Sequence, residues 1–241
     1  SCNVGCAGNR IGINRPIRCT VNPAVPEGDI YKRLRVNKNC NVVVIGGGTA
    51  GLEAACTAAE VGCNVFLFEK SDKLGGLSEF ISDLPSKTRM KDFPRYLRTR
   101  AERLPNLYTF LNTEASIEEI NKFHPDIVVN ATGSHPVVPP IPGLRENRTA
   151  GNLDDIFIMI NNVNAGKYPE GFCRGKKVLV MGGGAVGLDI IEYFAPLGAD
   201  CTIVDMLPTI GAVADPITKC SIKETFEVNH VKQYVNTAIQ E

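Results

Sequence analysis

Two short apolar runs organise the hydrophobic pattern of the chain, Asn41-Val-Val-Val-Ile45 and Lys177-Val-Leu-Val-Met181. Neither alternates with polar residues as a half-solvated strand does, and each is followed at once by three glycines. That character predicts strands buried on both faces of a parallel sheet. Behind the first run, Leu52–Val61 is rich in Ala and Glu and predicts a helix, with Gly62 as its C-terminal stop. Val65–Phe68 predicts a second strand, so Asn39–Lys70 reads as a strand-helix-strand unit. The same order recurs over Lys176–Met206, KKVLVMGGGAVGLDIIEYFAPLGADCTIVDM. The interval from Gly46 to Glu69 equals that from Gly182 to Asp205, which predicts two units of one architectural type.

Between the units, His124–Gly143 (HPDIVVNATGSHPVVPPIPG) predicts a short strand, a small-residue turn and a proline-rich exit that no helix tolerates. After Asp205 the pattern predicts one helix and one strand. Residues 1–38 are loop-rich and close on the basic stretch Tyr31-Lys-Arg-Leu-Arg-Val36. The expected organisation is an arm over 1–38, one nucleotide domain over 39–150, and a second, incomplete one over 151–241.

Composition narrows the partners. The 241 residues suffice for two modest cores. Lys plus Arg balances Asp plus Glu at 26 each, so no net field favours nucleic acid or an anionic membrane. The apolar runs fall far short of the roughly 20 residues that span a bilayer. No signal-peptide pattern is visible. Nine cysteines, an odd number scattered through a chain with a sizeable core, argue for a reducing, cytoplasmic setting rather than a disulfide framework.

The glycines carry the chemistry. Gly46 permits a tight strand-to-helix turn, Gly48 lets the backbone approach a pyrophosphate, and Gly51 allows close packing of helix on strand. Glu69, at the end of the second strand, can accept the ribose hydroxyls of an adenosine. Gly182, Gly184, Gly187 and Asp205 repeat the set. An acid with no arginine directly after it favours NAD(H) over NADP(H). Two dinucleotide sites in tandem suit a flavin and a nicotinamide exchanging hydride.

Further residues carry a resemblance. Ala131-Thr132-Gly133 resembles the A-T-G turn of two-dinucleotide flavoprotein reductases, and Leu74-Gly75-Gly76 resembles their second flavin-contacting loop. By that resemblance the first domain binds FAD through Gly46, Gly48, Ala50, Gly51, Glu69, Lys70, Gly75, Gly76, Ala131, Thr132 and Gly133, and the second binds NADH. A thioredoxin-reductase-like activity needs a redox cysteine pair, commonly C-x-x-C, and none occurs. Cys56, Cys63 and Cys201 read as small buried hydrophobes.

The arm, with Cys2, Cys6 and Cys19 followed by Thr20-Val21-Asn22-Pro23, resembles the cluster segment of the 2,4-dienoyl-CoA reductase and trimethylamine dehydrogenase group, the multidomain branch of the old yellow enzyme family. There an FMN-binding TIM barrel precedes a [4Fe-4S] segment and two nucleotide domains. The resemblance implies an α/β protein with two Rossmann-like domains, the second truncated, and an NADH-dependent flavin oxidoreductase carrying electrons from NADH to FAD to [4Fe-4S] to FMN in a barrel outside these residues. Cys2, Cys6 and Cys19 match the last three of four cluster ligands, and the first falls ahead of Ser1. Zinc with Cys40, or unliganded thiols, are the competing readings of the arm.

The chain is expected to hold the ADP half of FAD better than the flavin half, or neither nucleotide, and to lack activity alone. Two alternatives stand: a trimethylamine dehydrogenase-like module with structural ADP in the first site, and a nucleotide-binding or docking module that moves no electrons. His124, His135 and His230 have no paired acid or nucleophile at recognisable spacing, so no catalytic residue is assigned.

Overall fold

The computed structural model describes residues 4–22, 24–25, 34–135, 137, 139–144, 153–212 and 214–240. The chain forms two compact units: Val21–Ser82 with Ser86–His135 in the first, and Asn3–Thr20, Asp83–Pro85 and Pro136–Glu241 in the second.

The first unit is a parallel sheet of β1 (Asn41–Ile45), β2 (Asn64–Phe68), β3 (Leu107–Phe110) and β4 (Ile127–Asn130), in the order β3-β2-β1-β4. Its register runs from Asn41 opposite Asn64 to Ile45 opposite Phe68, and Val42 opposite Ile127 on the other side. Helix α1 (Thr49–Glu60) covers one face, where Leu52, Ala55, Cys56 and Ala59 pack on Val42, Val44, Val65 and Leu67. The helix starts three residues before the expected Leu52, because Thr49, Ala50 and Gly51 of the glycine motif are already helical. It ends at Glu60 with Val61 as its C-cap, and Gly62, at φ +105°, leaves the helical path as expected. Phe66, Phe68, Phe110 and Phe123 cluster together, with centroids 4.3–5.7 Å apart.

Helices α2 (Leu77–Ile81), α3 (Asp92–Glu102) and α4 (Ile117–Asn121) complete the unit. On α3, Arg100 ties into α1. It donates to Glu53 Oε2 at 2.7 Å and grips both carboxylate oxygens of Glu60 at 2.5 and 2.9 Å.

The second unit contains α5 (Leu153–Asn164), β5 (Lys177–Met181), α6 (Ala185–Phe194), β6 (Asp200–Val204), α7 (Pro216–Val228) and β7 (Lys232–Tyr234). Its parallel sheet is ordered β5-β6-β7, in the same sense as β1-β2-β3. The expected helix and strand after Asp205 are α7 and β7. Here β5 is the sheet edge among the described residues, and Leu179 on it is 59% exposed. The arm is less loop-like than its composition suggested: Val4–Gly12 forms a π-helical stretch. It packs in the second unit on α7, where a side chain at Gly12 would press on Pro216.

Candidate functional site

Each glycine loop sits where a parallel strand hands over to a helix, and the two are built alike. Gly46 turns at φ +101° and Gly182 at φ +99°, a left-handed conformation open to glycine. A Cβ on Gly51 would collide with the carbonyl oxygen of Gly46, and one on Gly187 with that of Gly182. Small size is therefore obligatory where helix meets strand. Gly48 and Gly184 differ in kind: a Cβ on Gly48 first meets Gly76 Cα at 4.0 Å, and on Gly184 it meets nothing within 4 Å. The fold leaves that face of each loop open.

Both loop helices also begin without a side-chain cap, at Gly48 and at Gly184. Helices α4 and α7 do carry side-chain caps, a Ser116–Glu119 capping box and Asp215, whereas α2 and α3 begin uncapped as well. Uncapped first-turn amides next to an open backbone are the donors an anionic pyrophosphate needs. This is the fit of the residues to a dinucleotide.

The acids are fixed by a contact that spacing alone did not reveal. Gly47 N–H donates to Glu69 Oε2 at 2.6 Å, and Gly183 N–H donates to Asp205 Oδ2 at 2.6 Å. The other oxygens are held from two residues downstream: Glu69 Oε1 by the amide and hydroxyl of Ser71, and Asp205 Oδ1 by the amide of Leu207. Burial works against the Glu69 charge, but the bonds from Ser71 and Gly47, with Lys70 nearby, outweigh it and hold its pKa below the ordinary value. Glu69 Oε1 is filled by its two bonds from Ser71, while Glu69 Oε2 and both Asp205 oxygens, with one bond each, keep a lone pair for a ribose hydroxyl.

Around the first loop the structure gathers the other expected residues. Ala131 N–H bonds to Ile45 O at 2.8 Å, and the Ala131 carbonyl lies where a Gly46 side chain would stand. Thr132 hydrogen-bonds back to Asn130 Oδ1, and Gly133 turns at φ +79°. Gly75 N–H donates to Gly47 O at 2.8 Å, and Gly76 lies against Gly48. Ala50 and Lys70 are exposed beside the loop and the acid. In the second unit, Gly211 N–H donates to Gly183 O at 2.9 Å, the counterpart of Gly75.

Gly47, Gly183, Ser71, Leu207 and Gly211 thus join the sites although the sequence reading did not name them. The signal was present in part: both motifs read G-G-G where G-x-G suffices.

Comparison with known proteins agrees with this geometry. The sequence matches the pyridine nucleotide-disulphide oxidoreductase family over residues 96–241 and the FAD dependent oxidoreductase family over residues 41–82. The chain belongs to the pyridine nucleotide-disulphide oxidoreductase family.

Relatives of this family member include the NADH oxidase of Thermoanaerobacter brockii, 38% identical over 94% of the chain and 34% of the relative. Another is the bilirubin reductase of Mediterraneibacter gnavus, 32% identical over 99% of the chain and 35% of the relative. A solved complex of 2-naphthoyl-CoA reductase superposes on the whole chain with TM-score 0.83 at 28% identity, covering 34% of that protein. The chain therefore spans about a third of the length of these relatives.

The remaining candidates lie apart from the loops. Cys2 is outside the described residues. Arg18 N–H donates to Gly5 O at 2.8 Å, which sets the segments carrying Cys6 and Cys19 side by side. Among the described residues no group of three or more His, Cys, Asp or Glu side chains could hold a metal ion. These residues therefore offer only part of a four-thiolate set. His124, His135 and His230 are all exposed. Cys56, Cys63 and Cys201 are buried, as expected of small hydrophobes. No helix among the described residues is long and apolar enough to cross a membrane.

Proposed function

We propose that the chain is the dinucleotide-binding part of an NADH-dependent flavin oxidoreductase of the 2,4-dienoyl-CoA reductase and trimethylamine dehydrogenase-like group. In this reading residues 1–38 form the cluster arm, 39–150 the FAD domain and 151–241 the NADH domain. Electrons pass from NADH through FAD and a [4Fe-4S] cluster to an FMN held by a barrel domain of the same polypeptide. The carrying observation is the pair of matched loops, each with an uncapped helix, an open glycine face and an acid held by the amide of the loop's middle glycine.

A flavin bound here supplies hydride acceptance and single-electron release. The chain's own residues bind and orient. Gly48 and the first turn of α1 receive the FAD pyrophosphate, while Glu69, kept ionised, takes a ribose hydroxyl. Gly184 and α6 do the same for the nicotinamide dinucleotide. Asp205, followed by Met206 and Leu207, offers no cation to a 2′-phosphate, which favours NADH. Support for the arm is narrower: the Gly5–Arg18 bond between the Cys6 and Cys19 segments, and the resemblance of its cysteine spacing. The relatives named as an NADH oxidase and a bilirubin reductase support the redox class.

The test uses the full-length protein. Flavin absorbance, iron and acid-labile sulfide at about four each per chain, and NADH oxidation with an artificial acceptor are expected. A colourless protein that leaves NADH untouched overturns the redox reading, and flavin without iron overturns the cluster alone.

A further inference from the structure

The loop Leu74–Gly76 is held from behind in the first unit by an arginine–glutamate pair. Arg98 on α3 donates from Nη1 to the Leu74 carbonyl at 2.8 Å and pairs through the same nitrogen with Glu79 Oε1. Both side chains are 32% exposed, so the pair is largely shielded. Gly75 runs directly beside it: a Cβ there would stand 3.1 Å from Arg98 Nη1 and 2.8 Å from Glu79 Cγ. The loop is in turn tied to the first glycine turn. Gly75 N–H bonds to Gly47 O, Gly75 bridges to Gly48 in parallel, and a Cβ on Gly76 would lie 2.9 Å from Gly48 Cα. A continuous line of contacts therefore runs from Arg98 to Gly47 and Gly48.

The second unit keeps the near end of this line, and at its far side Lys219 on α7 donates to the Ala212 carbonyl at 3.2 Å. Gly211 bonds to Gly183, and Ile210 packs on Gly183 as Leu74 packs on Gly47. Among the described residues, no arginine or lysine bonds the Ile210 carbonyl.

We propose that Arg98 is a positioning residue that latches the Leu74–Gly76 loop against the first glycine turn, so that the first unit retains its dinucleotide while the second exchanges one. The proposal rests on the reading of the first unit as an FAD or ADP site. Moving the loop away from Gly48 breaks the charge-assisted bond from Arg98 to the Leu74 carbonyl, which the Glu79 pair holds in place, and such bonds are roughly twice as strong as neutral ones. A loop that must open before release sets the residence time of what lies behind it. In the second unit the Gly211–Gly183 backbone bond is joined by a longer, solvent-exposed bond from Lys219 to the Ala212 carbonyl at 3.2 Å. Lysine in place of Arg98 presents a compact, strongly hydrated point charge instead of the two planar N–H bonds of Nη1.

The experiment follows release of FAD from the full chain by flavin fluorescence after adding excess ADP, for wild type, Arg98→Ala, Arg98→Lys and Glu79→Gln. NADH binding to the second unit is titrated in parallel. Expected is an increase in FAD release of about tenfold or more for Arg98→Ala, with an intermediate increase for Arg98→Lys and Glu79→Gln. NADH affinity stays within about twofold throughout. Wild-type release rates in all three variants overturn the latch and leave the first-site reading intact. Equal losses at both sites, with a lowered melting temperature of the nucleotide-free chain, make Arg98 a general fold prop and also overturn it. A wild-type chain that binds neither FAD nor ADP overturns the first-site reading itself. Should Arg98→Ala fail to fold, the two milder variants decide.

Discussion

The Gly47 amide donates to Glu69 Oε2 at 2.6 Å across 22 residues of sequence, closing the first glycine loop on its own acid. The bond aims a carboxylate that is 9% exposed and sets its charge state before any ligand arrives. Because the Gly183–Asp205 bond spans the same interval, the two sites can be tested against each other.

Glu69→Gln is expected to weaken FAD and ADP binding by about 10- to 100-fold, the loss of hydrogen bonds to a charged acceptor. NADH binding should not change. Asp205→Asn should show the reverse pattern. Isothermal titration of both variants with ADP, FAD and NADH checks this, and a variant that loses both ligands equally contradicts independent sites.

The glycines divide into two classes by what surrounds them. Gly51→Ala and Gly187→Ala force a methyl onto the carbonyl of Gly46 or Gly182, and overpacking of this kind costs about 1–3 kcal/mol or more. Gly184→Ala places its methyl in open space, so the nucleotide-free chain should keep its melting temperature while NADH binding drops. Thermal unfolding with and without ligand separates the classes.

Two carboxylates, Glu69 and Asp215, should contribute to acid sensitivity. The folded-state pKa of Glu69 is lowered as described above, and that of Asp215 is lowered by the Thr218 hydroxyl and by the first amides of α7. A depressed folded-state value means that each group stabilises the fold above its unfolded pKa of about 4. The contribution is lost as pH falls from there through the folded value. Asp215→Asn keeps a helix-capping side chain, so stability at pH 7 should change by about 0.5 kcal/mol or less while the acid limb flattens. Asp215→Ala should cost about 1 kcal/mol at pH 7. Denaturant titrations between pH 3 and 7, at roughly unit steps, check both.

Thiol chemistry offers a readout of burial. Cys220 is exposed, whereas burial pushes Cys201 up to about 11 and raises Cys173 and Cys63. At mildly alkaline pH an alkylating reagent should modify Cys220 first and leave these three unmodified until the chain unfolds. Peptide mass spectrometry over a time course measures the order.

Much of this protein was legible in its residues. The run Val42–Ile45 is a buried strand, as its continuous β-branched apolar sequence indicates, whereas Lys177–Met181 is a strand at a sheet edge among the described residues and stays largely exposed, because an apolar run shows the strand but not what covers it. The glycine spacing marked both strand-to-helix turns, and Glu69 and Asp205 stood out as the acids at the ends of the second strands. The helix start was misplaced because Thr49–Gly51 read as loop, although the residues are already coiled into α1. The arm read as loop-rich because glycine and proline punctuate its polar sequence, and Val4–Gly12 nevertheless coils.

What the sequence determined by itself was the duplicated strand-helix-strand pattern and the residue types a dinucleotide needs, since both follow from local periodicity and from the steric demands of single positions. Only the tertiary structure decided which groups meet. Gly47 on Glu69, Gly75 on Gly47 and Arg98 on Leu74 are contacts between residues far apart in the chain, and their partners are set by the register of β1 with β2 and the packing of α3. Hydrogen bonds of this kind have no sequence period to betray them. Arg98 reads along the chain as one more arginine of a basic helix, and its place beside the Leu74–Gly76 loop is a property of the fold.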